Sequence, residues 1–200
     1  MERPYSLRLL KGKEIVRHLP DVANLRLRVF KEYPYLFQDD DKHTAAYLSH
    51  YASAKNCLLV TATSNNEMVG AVAGIPLEAT SPATQKPFVD NHQTLSQWFY
   101  IDEIVIAPQW RTRGLGDLFL RALEDHAKEL GYLYTTFCVI HRPATHPLRP
   151  RGYVPPDEYF VARGYERLPE LNLHLSWVDT GEGRATTKKM EFWYKKLKED

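Results

Sequence analysis

Residues 101–131, IDEIVIAPQWRTRGLGDLFLRALEDHAKELG, constrain this chain more than any other stretch. An apolar run ends at Pro108, and a basic turn follows, Arg111-Thr112-Arg113-Gly114-Leu115-Gly116. Leu115, Leu118, Phe119, Ala122, Leu123, Ala127 and Leu130 then recur at three- and four-residue intervals, the apolar stripe of one helix. Arg121, Glu124, Asp125, Lys128 and Glu129 take the other side, and Gly131 is placed to stop the helix. The order is therefore strand, glycine turn, helix. Such a junction presents a row of backbone N–H groups and the positive end of a helix dipole to an anion. Gly114 and Gly116 let backbone approach a ligand closely, and Arg111 and Arg113 add charge suited to phosphate oxygens.

Two common phosphate motifs do not fit. A P-loop needs Gly-Lys-Ser/Thr, and that triplet is missing from the sequence. A dinucleotide fingerprint needs a third glycine where Phe119 stands. What remains is R-x-x-G-x-G between a strand and a long helix. The bland alternative is a basic turn whose glycines serve geometry alone. The flanking strand and helix favour the ligand reading.

Composition narrows the class. The chain has 200 residues, 44% apolar and 26% charged, which suits a globular protein of one domain. Lys and Arg number 26 against 25 Asp and Glu, so a broad nucleic-acid-binding face is not expected. The two cysteines, Cys57 and Cys138, lie in apolar runs without metal-ligand spacing, and no metal is expected. The N-terminus lacks a signal-peptide core, and no apolar run reaches the ~20 residues of a membrane span. A cytoplasmic protein is the expectation.

Along the chain, Tyr5 to Leu10 reads as a strand and Glu14 to Val29 as a helix interrupted at Pro20. Tyr33-Pro34-Tyr35-Leu36-Phe37 is an aromatic connector, after which Asp39-Asp40-Asp41 opens a helix over Lys42 to Ala54. Cys57 to Thr63 and Met68 to Ile75 read as a hairpin. Thr80 to Gln97 is polar, with room for a short helix near Thr94 to Trp98. Trp98 to Ile106 is the strand before the turn, and Leu133 to Ile140 the strand after the long helix. His141 to Asp157 holds five prolines and three arginines and reads as a long loop of the kind that is often functional. Glu158 to Arg163 predicts a short helix stopped by Gly164, and Leu171 to Val178 and Lys189 to Leu197 predict closing strands.

The R-x-x-G-x-G turn in this setting resembles the acetyl-CoA-binding motif of the GNAT N-acetyltransferase superfamily. Tyr159 to Tyr165, YFVARGY, is similar to the family's aromatic-x-x-x-Gly-aromatic segment. FKEYPYL, FCVIHRPATHPLRPRGY and TTKKMEFW resemble a bacterial subgroup of unassigned substrate. The resemblance implies an α/β (α+β type) GNAT fold over 1–200: a mixed, mostly antiparallel central sheet with helices on both faces and a Pro-rich insertion at about 141–157. It implies a transferase that moves an acetyl group from acetyl-CoA to a primary amine of a small molecule or peptide. A CoA-binding regulatory module of the same fold, or another phosphate-binding αβ protein, are the competing classes. A homodimer is a further expectation, since family members often pair; nucleic acid and membrane are not expected as partners.

Residue by residue, the resemblance assigns the pantetheine arm to backbone groups of Ile104, Val105 and Ile106. It assigns the pyrophosphate to amides of Thr112, Arg113, Gly114, Leu115, Gly116 and Asp117, with Arg111 opening the motif. Asp117 is out of character beside phosphate, unless its side chain caps the helix and only its N–H faces the ligand. Acyl transfer needs a carboxylate to take the ammonium proton, directly or through water. Asp102 and Glu103 qualify. Strand alternation sends them to opposite faces unless a bulge re-aims the chain, and Glu103 is preferred for its longer reach. Where the family places a proton-donating tyrosine, this chain has Phe160; Tyr159 or Tyr153 are the nearby substitutes, and Tyr159 is taken as the candidate. His141 and Arg142 replace the family's usual asparagine after the strand. Tyr33, Tyr35 and Phe37 with Asp39 to Asp41 lie where the family builds its acceptor pocket, although a packed connector explains them as well.

Overall fold

The computed structural model describes residues 4–38 and 41–197. Its seven strands are β1 (Ser6–Leu10), β2 (Leu58–Ser64), β3 (Glu67–Pro76), β4 (Trp98–Ile106), β5 (Tyr134–Ile140), β6 (Glu166–Trp177) and β7 (Thr186–Lys196). They form one sheet in the order β1-β2-β3-β4-β5-β7-β6. Every neighbouring pair is antiparallel except the central one, β4–β5. The helices are α1 (Leu19–Phe30), α2 (Asp41–Leu48), α3 (His50–Ser53), α4 (Pro82–Asp90), α5 (Leu115–Glu129) and α6 (Asp157–Val161).

Strand alternation divides the core between the two faces of this sheet. Leu58, Val60, Phe99, Ile101 and Phe137 pack on one face with Leu115, Phe119, Leu120 and Leu123 of α5 and Phe160 of α6. Leu59, Ala71, Ala73 and Val105 pack on the other with Val22 and Leu25 of α1 and Leu48 and Tyr51 of α2 and α3. Farther along that second face, Trp98 and Tyr100 meet Phe88 of α4. The stripe read from the sequence of α5 faces the core except at Leu130, which is 41% exposed, and each fully buried large side chain contributes about 1.5–3 kcal/mol. Gly74 of β3 lets α5 and Phe99 close down: a Cβ there would stand 2.4 Å from Phe99 Cε1 and 3.1 Å from Leu123 Cδ1.

Five readings need adjustment. A helix missing from the sequence reading, α4, occupies Pro82–Asp90; its start is signalled by Ser81, whose Oγ accepts from the Thr84 amide, and by Pro82 in the first turn. Only a short 3-10 turn, Leu95–Gln97, forms near Thr94 to Trp98. The helix expected over Lys42 to Ala54 is two pieces, α2 and α3, divided at Ser49, and the segment from Gly12 to His18 is 3-10 rather than α. Strand β6 starts at Glu166, ahead of the predicted Leu171, and carries an irregularity between Leu168 and Asn172 around Pro169. Asp39 and Asp40 lie outside the described residues.

Candidate active site

The site follows from a failure of pairing at the sheet centre. β4 and β5 pair only at Trp98–Tyr134, Phe99–Thr135 and Tyr100–Thr136. Beyond Tyr100 the strands separate, and a cleft of about 750 Å³ opens between Ile101 to Ile106 on one side and Phe137 to Ile140 on the other. The other edge of β4 stays on β3. The Ala107 amide donates to Val69 C=O (2.9 Å), so alternation along an antiparallel ladder turns Val105 to β3 as well. Ile104 and Ile106 therefore point their backbone groups at the cleft. Of the three strand positions expected to meet a pantetheine arm, Val105 uses its backbone in the sheet.

The separation coincides with a β-bulge. Glu103 pairs with Ala73 and Ile101 with Gly74, which leaves Asp102 as an extra residue in β4. Before it, Trp98 and Tyr100 face the α1–α4 side; after it, Glu103 and Val105 do. The exception allowed in the sequence reading therefore applies. Both acids lie on one face, but their surroundings differ. Asp102 lines the cleft; its Oδ1 accepts from Tyr47 Oη (2.8 Å) and its Oδ2 from Tyr51 Oη (2.9 Å), with His50 Nε2 at 3.3 Å. Burial alone would lower the His50 pKa, but hydrogen bonds to Asp102 and the Tyr47 carbonyl raise it. Glu103 is 1% exposed and does not line the cleft. Its Oε2 accepts from Arg26 Nε (3.0 Å), while Oε1 is buried without a hydrogen-bond partner. Burial pushes the Glu103 carboxyl up to about 7, against the pull of Arg26. Arg26 occupies the apolar stripe of α1, beside Val22, Leu25 and Val29, and lies over the rings of Phe30, Phe37 and Tyr47.

The turn forms the wide end of the cleft. Thr112 (φ 59°) and Gly114 (φ 79°) take left-handed backbone, and Gly114 precedes the first residue of α5 with no side chain capping the helix. A β-branched residue at positive φ is a strained conformation of the kind found at ligand sites. Among the described residues, the amides of Thr112 to Asp117 donate to no carbonyl or side chain. Arg111 Nε donates to Ile106 C=O (3.1 Å) and its Nη2 pairs with Glu32 (2.9 Å). Asp117 does not cap the helix. Its Oδ1 accepts from Tyr159 Oη (2.9 Å) and pairs with Arg163, which is stacked on the Tyr159 ring at 3.4 Å. The hydrogen bond from Arg163 is the main reason the Asp117 pKa is lowered. Tyr159 thus stands over the helix start, where a Cβ on Gly116 would come within 2.6 Å of its hydroxyl. Burial, together with the bond to Asp117, pushes its phenol up to about 12. Phe160 is buried against Phe137 and Trp193.

The other side of the cleft is walled by segments far apart in sequence. The connector after α1 meets the Pro-rich loop through Tyr33, whose ring packs edge-on to Tyr153 (4.7 Å). Arg142 fastens the two. It donates to Pro34 C=O (2.8 Å) and Tyr35 C=O (2.9 Å) and pairs with both oxygens of Asp179 (2.7 and 2.9 Å), which also meets Lys188 (3.0 Å). Tyr35 and Cys138 line the cleft; the Cys138 thiol lies 3.0 Å from Tyr100 Oη, and burial pushes it up to about 12. The sequence reading left the roles of Arg26, His50, Tyr47 and Tyr51 unassigned. A charged residue in the apolar stripe of α1 was the signal available for Arg26.

The sheet is open at its centre, its bulged strand carries a carboxylate, and the helix beyond it starts with free amides. A profile of the Acetyltransferase (GNAT) family matches residues 20–153. The chain belongs to this family. No curated protein matches it. Similar solved structures include the ribosomal-protein-alanine N-acetyltransferase of Brucella melitensis (13% identity, TM-score 0.62), covering 96% of this chain and 99% of that one. An N-acetyltransferase of Staphylococcus aureus (13%, 0.61) aligns over 97% and 99%. The PaiA N-acetyltransferase of Thermoplasma acidophilum in complex with coenzyme A (11%, 0.56) aligns over 96% and 99%. At these identities the likeness is one of fold. Among the described residues, no helix is long and apolar enough to cross a membrane and no group of three or more His, Cys, Asp or Glu could hold a metal ion.

Proposed function

We propose that this protein transfers an acetyl group from acetyl-CoA to a primary amine. The observation that carries the reading is the set of unengaged amides from Thr112 to Asp117, at the mouth of a cleft whose strand edge is also unpaired. The residues fit the cofactor. The turn amides and the α5 dipole would hold the diphosphate, with Arg111 and Arg113 supplying charge. Backbone groups of Ile104 and the Ile106 N–H would hold the pantetheine arm, the Ile106 carbonyl being taken by Arg111. Acetyl-CoA would supply an activated acyl group beside β4.

This chain's residues would then manage the amine. Asp102 reaches the cleft, so it attracts the ammonium and takes its proton as the lone pair is freed, geometry deciding ahead of basicity. Tyr47, Tyr51 and His50 hold the carboxylate in place. Glu103 and Arg26 fix the bulge from behind. A second reading makes Glu103 the proton acceptor through a water on its bare Oε1; its carboxyl at about 7 suits that task. Tyr159 braces the turn, since its hydroxyl is engaged by Asp117. The cytoplasm suits the two free cysteines, and a homodimer stays part of the proposal.

The test is a thermal shift with acetyl-CoA, ATP and NAD, followed by thiol release against a panel of amines. Stabilisation by acetyl-CoA alone with amine-dependent thiol release is the expected result. Stabilisation without turnover would favour the regulatory module, and no shift at saturating acetyl-CoA would remove both.

A further inference from the structure

The cleft is charged unevenly. Among the arginines that line it, Arg111, Arg142, Arg163 and Arg167 each meet a carboxylate. Arg149, in the Pro-rich loop, has no carboxylate partner among the described residues. Its guanidinium is nevertheless held: Nη2 donates to Tyr153 C=O (3.1 Å), and the group lies over the Tyr153 ring at 5.0 Å. Tyr153 in turn rests on Tyr33, whose buried hydroxyl has no hydrogen-bond partner and whose ring lines the same cleft. Successive backbone bonds fix the loop, from Arg149 N–H to His146 C=O (3.0 Å) and from Tyr153 N–H to Pro150 C=O (3.1 Å). A pre-positioned guanidinium with most of its donors unused is a ready anchor for a carboxylate or phosphate.

The opposite charge stands elsewhere in the cleft, at Asp102. Building on the acyl-transfer reading, we propose that Arg149 anchors an anionic group of the acceptor, so that the acceptor is an amine that also carries a carboxylate or phosphate. The ammonium would face Asp102 and the anion Arg149. The acceptor is favoured over the cofactor as the source of the anion because the turn at Thr112 to Asp117 already offers donors to a cofactor's phosphates. A neutral amine would leave Arg149 without a partner, which gives the site a preference and not merely an affinity.

The test uses the full chain and matched probes: amino acids and aminoalkyl phosphates against the corresponding amines without the anion. Arg149→Gln and Arg149→Lys are compared with wild type. Wild type should favour the anionic member of each pair by roughly ten- to a hundredfold in kcat/KM. Arg149→Gln should erase that preference through KM for the acceptor, Arg149→Lys should retain part of it, and KM for acetyl-CoA should stay within about twofold. Equal or better use of the neutral amines would overturn the proposal. So would a loss confined to KM for acetyl-CoA, which would give Arg149 to the cofactor's phosphates. If acetyl-CoA does not bind at all, the acyl-transfer reading fails separately. Equilibrium binding of the anionic probes to wild type and Arg149→Gln then decides this proposal: weaker binding to the variant supports it, and equal or absent binding overturns it.

Discussion

The two halves of the cleft are built by different means. The half proposed for the cofactor comes from one continuous segment, residues 104–131, and its working parts would be backbone amides. The half proposed for the acceptor is assembled from α1, the connector at residues 33–37, α2 and α3, the bulge in β4, and the loop at residues 141–157. Its working parts are side chains. Arg142 reaches Pro34 across 108 positions of sequence and Arg26 reaches Glu103 across 77. Backbone chemistry tolerates many side chains and leaves a short motif; side-chain chemistry depends on tertiary placement. The family relation therefore carries the first half, while the particular acceptor depends on the second.

The strongest challenge to that division is at the bulge. Asp102→Asn should lower kcat about 10²–10⁴-fold while acetyl-CoA affinity holds, as expected for loss of a positioned proton acceptor. Glu103→Gln should cost less than about tenfold. The reverse ranking, with a kcat limb near pH 7 that disappears in Glu103→Gln, would hand the role to Glu103.

Next is the clasp of the acceptor half. Arg142→Ala removes the main partner of a buried carboxylate and frees two carbonyls, so it should destabilise the fold by about 3–5 kcal/mol. Chemical denaturation measures this. A loss below about 1 kcal/mol would mean that the connector and loop are held by packing instead.

Glu103 predicts a pH effect of known sign. Its folded pKa, about 7, lies above the unfolded value of 4.5, so the native state binds the extra proton between them. Its contribution to stability is fully present below the unfolded value and is lost as pH rises through 7. The span corresponds to at most about 3 kcal/mol. Glu103→Gln should flatten the fall in stability between pH 4.5 and 7.5, followed by denaturant titration. An unchanged slope would show that Glu103 is ionised throughout.

The smallest effect tests the cofactor half. Gly116→Ala puts a methyl group against the Tyr159 hydroxyl and should weaken acetyl-CoA binding about five- to tenfold, read by calorimetry. Tyr159→Phe removes the obstructing atom, so the double variant should recover part of the loss. Strict additivity would mean that Tyr159 does not restrain the turn.

Sequence patterns reach different depths in different places. The boundaries of β4 are the predicted ones, Trp98 to Ile106, because an apolar stretch broken only by Asp102 and Glu103 is bounded by Pro108. The helix α5 follows from its stripe and Gly131. The helix α4 was hidden by Pro82 and Pro87, although Ser81-Pro82 is itself a start signal. The bulge at Asp102 has no local signature, since it is a property of how β4 meets β3. Without it, alternation separates Asp102 from Glu103; with it, Asp102 lines the cleft and Glu103, preferred for its reach, lies behind it. The unpaired Arg149 and the clasp at Arg142 look, in sequence, like ordinary loop arginines.

A crystal structure with acetyl-CoA bound would decide whether the amides between Thr112 and Asp117 hold the cofactor. The account predicts diphosphate oxygens within about 2.7–3.2 Å of several of those nitrogens, with the thioester beside Asp102. A diphosphate held elsewhere, with these amides facing only water, would contradict it.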